Sequence, residues 1–237
     1  MPLNQNPEIL HSFICSFSVV CFGFIFYHVI TNKPAYKFSR SLPGNNLKPV
    51  IFQRLAGVFF FGFISLITIS FFNHSNFYLF GTGIPDFKTL IWLMILSTIL
   101  IPMNYLNSKN PENLSQYPQI RVKEWSAQLL VLSAISWMAY LLAYEFLFRG
   151  YFLFSSMALL GVWPAITINT AIYSLVHIPK GKKETLGAIP FGIIISYLTI
   201  KTGTFWLAFF AHVILALSNE WFSIAFHPDF HFKKSCV

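Results

Sequence analysis

The chain has 237 residues, of which 55% are hydrophobic, 19% aromatic and only 10% charged. Soluble domains carry about 25% charged residues, so this composition excludes a soluble enzyme, and with it a disordered chain, a collagen and a coiled coil. The net charge of +8 comes from bases in short loops between apolar runs, a pattern of membrane orientation and anionic headgroups, with no basic stripe long enough for nucleic acid.

A transmembrane helix needs about 20 apolar residues. The first apolar run, Ile9–Thr31, is preceded by no Lys or Arg and followed by no small-residue cleavage site, so it reads as a retained span and not a signal peptide. Further spans are expected at residues 52–72, 88–106, 124–148, 164–179, 185–201 and 204–226. Pro34, Pro43 and Pro49 break the first connection, Gly81, Gly83 and Pro85 the second, and residues 107–118 the third. Residues 151–163 are apolar but short and read as a surface or half-inserted helix; counted as a span they raise the total from seven to eight. The tail His227–Val237 reads as short, cytoplasmic and frayed. The expected fold is therefore all-α, a polytopic membrane helix bundle of about 7–8 transmembrane helices, in a single membrane domain over residues 1–237.

Loop charges set the orientation. Lys33, Lys37, Arg40, Lys48 and Arg54 mark the first loop, Lys109, Arg121 and Lys123 the third, Lys180, Lys182 and Lys183 a later one, and Lys233 and Lys234 the tail. All fall on the cytoplasmic side if the chain crosses seven times with its N-terminus outside. Cys15 and Cys21 lie within an apolar run and Cys236 in the tail, which makes neither a disulfide framework nor a CxxC zinc site.

A charged side chain near the bilayer centre costs roughly 2.5–3.5 kcal/mol on insertion scales, yet the second half of the chain places polar groups in three apolar runs. Glu145 and Arg149 share one helix face at i,i+4; taken alone they read equally as a structural ion pair, with Arg149 snorkelling to the interface. Asn169, Tyr173 and His177 form a second stripe at successive i+4 positions, although a lone histidine is most often a core residue bonded to a carbonyl. His212 and Asn219 are seven residues apart on one face, with Glu220 near its end, and such groups also serve helix association. Meeting across a wet cavity, one carboxylate and two imidazoles supply general acid–base hydrolysis. Glu145, His177 and His212 are alternatively a zinc set, though no His-Glu-x-x-His helix supports it and no cofactor is expected. Gly181, Gly187 and Gly192 with Pro190 read as a packing face before a substrate gate, and the Phe-rich stretch Val58–Phe63 as lipid-facing or packing residues.

In this order, the motifs resemble the CPBP family, the CAAX-type prenyl-protein endopeptidases and the bacterial bacteriocin-processing, Abi-like intramembrane proteases. The family pattern is Glu-Glu-x-x-x-Arg, then Phe-x-x-x-His, then His-x-x-x-Asn. Glu145 and Arg149 match the second Glu and the Arg, Tyr173 and His177 the second motif with Tyr for Phe, and His212 the third motif's His. The resemblance covers residues 124–226 and implies a CPBP-like catalytic core there. Two positions depart from it: the family's water-activating Glu is Tyr144 here, and its oxyanion-binding Asn is Ala216. Tyrosine, with an unperturbed pKa of about 10, is a poor base at neutral pH.

The resemblance implies an intramembrane endopeptidase acting on a membrane-embedded or membrane-associated peptide or protein, with Glu145, His177 and His212 as catalytic residues. Glu145 itself or Glu184 replaces the missing base, and Asn219 or Asn169 the missing amide. A catalytically impaired relative that binds membrane peptides or assists a partner is the alternative, and a small proton-coupled transporter using the same three groups a further one. Abundant Phe, Ile, Asn and Lys suit an AT-rich bacterial genome, hence the expectation of a bacterial inner membrane. The sequence carries no signal of oligomeric state.

Overall fold

In hydrocarbon, backbone polar groups must be satisfied within the segment itself, which leaves helices for chains as apolar as this one. The computed structural model describes residues 7–31, 46–73 and 77–233. Lys33, Lys37, Arg40, Lys234 and Cys236 lie outside the described residues, as do Pro34 and Pro43. Six helices are long and apolar enough to cross a membrane: α1 (Pro7–Thr31), α2 (Leu47–Phe71), α3 (Phe87–Asn107), α4 (Ala127–Leu160), α6 (Lys182–Thr202) and α7 (Trp206–Phe226). Between α4 and α6 lies α5 (Val162–Leu175), with 14 residues. At 1.5 Å per residue it is about 21 Å long, short of the roughly 30 Å hydrocarbon core.

Local chemistry sets the helix starts. Asp86 caps α3, its Oδ1 accepting from the Thr89 N–H at 2.8 Å, and hydrogen bonds from the Thr89 N–H and hydroxyl hold the Asp86 carboxyl below its usual range. Ser126 caps α4 by accepting from the Leu129 N–H at 3.2 Å. Gly161, at φ +83°, makes the reversal between α4 and α5, a backbone conformation that L side chains rarely adopt.

The chain alternates between two ends of the bundle. At one end the Asn46 side chain accepts from the Arg121 N–H at 2.6 Å and donates to the Gln119 carbonyl at 2.9 Å, and Lys183 Nζ bonds Asn107 Oδ1. At the other, the Phe205 N–H donates to the Gly81 carbonyl at 3.0 Å, and the Ser12 and Ser155 hydroxyls meet at 3.0 Å. The short α5, completed by residues 176–181, therefore returns the chain to the first end, so that seven helices run between the two ends among the described residues. The connections 107–126 and 176–181 and the residues after α7 meet at that first end, whereas Lys88 and Lys201 mark the other.

Two expectations are corrected. Residues 151–163 are not a separate surface helix: α4 runs on through Leu160, with Leu153, Ser155 and Ser156 buried. Gly150 does not break it, because a Cβ there would meet the Phe80 carbonyl oxygen at 3.1 Å, so glycine permits a close chain approach within the helix. The described part of the tail is not frayed either. His231–Phe232 (β2) pairs in parallel with Glu124–Trp125 (β1), the His231 N–H donating to the Lys123 carbonyl at 2.9 Å. Phe230 is buried with Trp125 and Ile120, which gives the tail an apolar reason to fold back. Apart from this two-rung ladder the described chain is an all-α polytopic bundle.

A second buried charge cluster ties α2, α4 and α7. Arg54 belongs to α2 and is buried, where the sequence reading grouped it with loop charges. Its Nη2 lies 3.3 Å from Glu220 Oε2, and its Nη1 donates to Ser136 Oγ at 2.7 Å. Trp137 Nε1–H donates to Glu220 Oε2 at 2.6 Å, and the Ser133 hydroxyl donates to the other carboxylate oxygen. Removing one member of a buried pair strands the other charge. Arg54→Met or Glu220→Gln alone is expected to lower stability by about 3–5 kcal/mol, and the paired Arg54→Met, Glu220→Met variant by less, as read by thermal unfolding in detergent.

Candidate active site

The site is built on a widened turn of α4. Over Phe146–Phe152 the helix is π-type, and the Leu153 N–H donates to the Phe148 carbonyl five residues back. Such bulges reorient side chains without ending a helix and recur at functional sites. Glu145 immediately precedes the bulge and Arg149 lies within it; both are fully buried. Arg149 Nη1 sits 3.1 Å from Glu145 Oε2. From α7, His212 Nδ1 donates to Glu145 Oε1 at 2.5 Å. The carboxylate is thus held between a guanidinium and an imidazole, and the guanidinium lies 4.0 Å from the Tyr173 ring centroid.

His212 reaches past this pair to a cavity of about 340 Å³, which His177, Tyr173, Phe191, Ala216 and Asn219 also line. Its mouth, at the end shared by the interhelical connections, carries Asn107, Lys183 and Glu184. His177 follows the last turn of α5 and donates from Nδ1 to the Tyr173 carbonyl at 2.7 Å. Both imidazoles pack on Tyr173, with ring centroids 4.5 Å away for His177 and 6.5 Å for His212. With each Nδ1 committed as a donor, Nε2 of each ring is the acceptor left for a substrate or a water.

The structure brings some of the sequence-expected residues together and keeps others apart. Glu145, Arg149, His212, Tyr173 and His177 come together as one assembly. Glu145, however, is not among the residues that line the cavity and meets it through His212. Glu184 stays at the mouth, where its carboxylate is 3.9 Å from Lys180 Nζ. Asn169 is committed elsewhere: its Nδ2 donates to the Phe148 carbonyl at 2.7 Å and its Oδ1 accepts from Ser196 at 3.4 Å, which fastens α5 and α6 to the bulge of α4. Asn219 lines the cavity, but the seven residues separating it from His212 correspond to a rise of about 10 Å. Tyr144 is buried with its ring edge-on to His212 at 5.8 Å, and its hydroxyl has no hydrogen-bond partner.

No three His, Cys, Asp or Glu side chains among the described residues group as a metal site. In both histidines Nδ1 is engaged, by the Glu145 carboxylate for His212 and by the Tyr173 carbonyl for His177. The sequence reading passed over Asn104, whose Nδ2 donates to the Leu215 carbonyl and to Ser218 Oγ, each at 2.7 Å, and joins α3 to α7 along the cavity wall. A polar amide inside the apolar run of α3 was the available signal.

Residues 124–218 match the family model described as Type II CAAX prenyl endopeptidase Rce1-like. No curated protein and no solved structure matches the chain. The match spans α4, α5, α6 and most of α7, the helices that carry the assembly.

Because Asn169 bonds the bulge and not the cavity, Asn169→Ala is expected to act on stability. Leaving the Phe148 carbonyl and Ser196 without that amide should cost about 1–3 kcal/mol, measured by thermal or denaturant unfolding in detergent.

Proposed function

We propose that this chain, whose residues 124–218 form an Rce1-like domain of the type II CAAX prenyl endopeptidase (CPBP) family, is an intramembrane endopeptidase. The observation that carries this reading is the 2.5 Å contact between Glu145 and His212, with His212 facing a cavity that His177 shares. A carboxylate bound to Nδ1 fixes the imidazole tautomer and stabilises the imidazolium formed when Nε2 takes a proton, the logic of an acid–histidine pair in hydrolases.

In this mechanism His212 Nε2 accepts a proton from water while the water oxygen attacks the carbonyl carbon of the scissile peptide bond. His177 Nε2 accepts the second O–H and orients the water. The imidazolium of His212 then returns its proton to the departing amine nitrogen, the carbon–nitrogen bond breaks, and an acid and an amine leave. Arg149, 3.1 Å from Glu145, holds the carboxylate against His212 and is a positioning residue. The substrate is proposed to be a membrane-embedded or membrane-associated peptide or protein that enters from the mouth at Lys183 and Glu184. That end is assigned to the cytoplasm by its basic connections, and the membrane to a bacterial inner membrane.

Tyr144 and Ala216 favour a second reading. Two positions that carry polar catalytic groups in the family pattern hold a buried tyrosine and a methyl group here, which suits a relative that binds membrane peptides without cutting them.

One experiment separates the two readings. Purified protein is assayed against a quenched-fluorescence peptide library in lipid nanodiscs. A protease loses about 10²–10⁴-fold in kcat/KM on His212→Ala and on Glu145→Gln, with less lost on Glu184→Gln. A binding relative is silent as wild type and gains turnover only when Tyr144→Glu is combined with Ala216→Asn. Turnover unchanged in both His212→Ala and Glu145→Gln rules out the mechanism.

A further inference from the structure

We propose that Asn219 binds the backbone of an extended peptide, about three residues away from the bond presented to His212. The inference rests on the endopeptidase reading for its register, though not for the binding itself. Asn219 is 8% exposed, lines the cavity, and its Oδ1 has no hydrogen-bond partner. The asparagines around it are already engaged: Asn104 with Leu215 and Ser218, and Asn113 with Ser223 at 2.9 Å. A buried acceptor left unpaired is destabilising, so the retention of this oxygen calls for a donor absent from the protein alone.

The chemistry of the group names that partner. A carboxamide offers an acceptor and two donors on a planar frame, as a peptide group offers an acceptor and a donor. Its complement is a chain that presents both N–H and C=O, which a lipid tail does not. The rise of about 10 Å from His212 to Asn219 along α7 equals about three residues of extended backbone at roughly 3.3 Å each. Ala216 and Gly187 also line the cavity, and a Cβ built on the exposed Gly187 meets nothing within 4 Å. With about 340 Å³ the cavity has room for a large side chain beside the peptide backbone. The substrate class is therefore an extended peptide segment with a bulky apolar residue, bound by its backbone at Asn219 and by that side chain against Gly187 and Ala216.

The test uses the full chain in nanodiscs and a dansyl-labelled hexapeptide of alanines with one central phenylalanine, plus analogues in which each amide in turn becomes an ester. Binding is read by fluorescence anisotropy, and peptide integrity by mass spectrometry. In the wild type one ester position should weaken binding about 3- to 10-fold, and that sensitivity should vanish in Asn219→Leu. Gly187→Leu, which has room to fold, should weaken the phenylalanine peptide more than an all-alanine one. Asn219→Leu should also raise the thermal stability of the free protein, since it removes an unpaired buried amide; a lower stability means a structural amide and overturns the proposal. Equal ester sensitivity in wild type and Asn219→Leu, or no binding to wild type, overturns it too. Intact peptide with the expected binding pattern supports the inference while counting against the protease, and cleavage with KM unchanged in Asn219→Leu does the reverse.

Discussion

A carboxylate sealed inside an apolar bundle is tolerable only in contact with cations and donors that replace its lost water. Two such carboxylates organise this molecule. Glu145 of α4 is held by Arg149 and by His212 of α7, and Glu220 of α7 is held by Ser133 and Trp137 of α4 and Arg54 of α2. Each cluster makes a bond between the same two helices. Packing of aromatic rings around Tyr144, Phe148 and Tyr173 fills the space between, but non-directional apolar contacts do not fix which residue faces which. The charged contacts do.

The site inherits its character from this arrangement. His212 owes its orientation to a group that does not line the cavity, and the cavity combines aromatic and aliphatic side chains such as Trp137, Tyr173, Phe191 and Leu215 with polar ones such as His177, His212 and Asn219. The bulge at Phe146–Phe152 joins the two roles. It carries Arg149 beside Glu145 and presents a carbonyl to Asn169, so the turn that positions the ion pair also fastens α5.

Much of this was legible in the sequence because charge inside an apolar run is conspicuous. Glu145, Arg149, His177 and His212 stood out for that reason, and helical spacing alone put Glu145 within reach of Arg149. Partners far apart in the chain were not legible. Arg54 looked like a loop charge because it sits near the start of its apolar run, and only the fold brings it to Glu220. Asn169 and Asn219 gave similar signals by spacing, yet one serves packing and the other a cavity. The run of α4 through Leu160 was not legible either: residues 151–163 looked too short for a span of their own, and Gly150 admits the Phe80 carbonyl, a contact no local pattern encodes.

The two charged clusters share a geometric property. Trp137 and Glu145 are eight residues apart on α4, and His212 and Glu220 are eight residues apart on α7. Antiparallel helices of equal rise bring both pairs into match in the same alignment, about 12 Å apart. Shifting either helix by one turn, about 5.4 Å, would spoil both at once. The pair behaves as a vernier with two coincident marks, which sets the register of α4 against α7 and with it the height at which the imidazole of His212 stands.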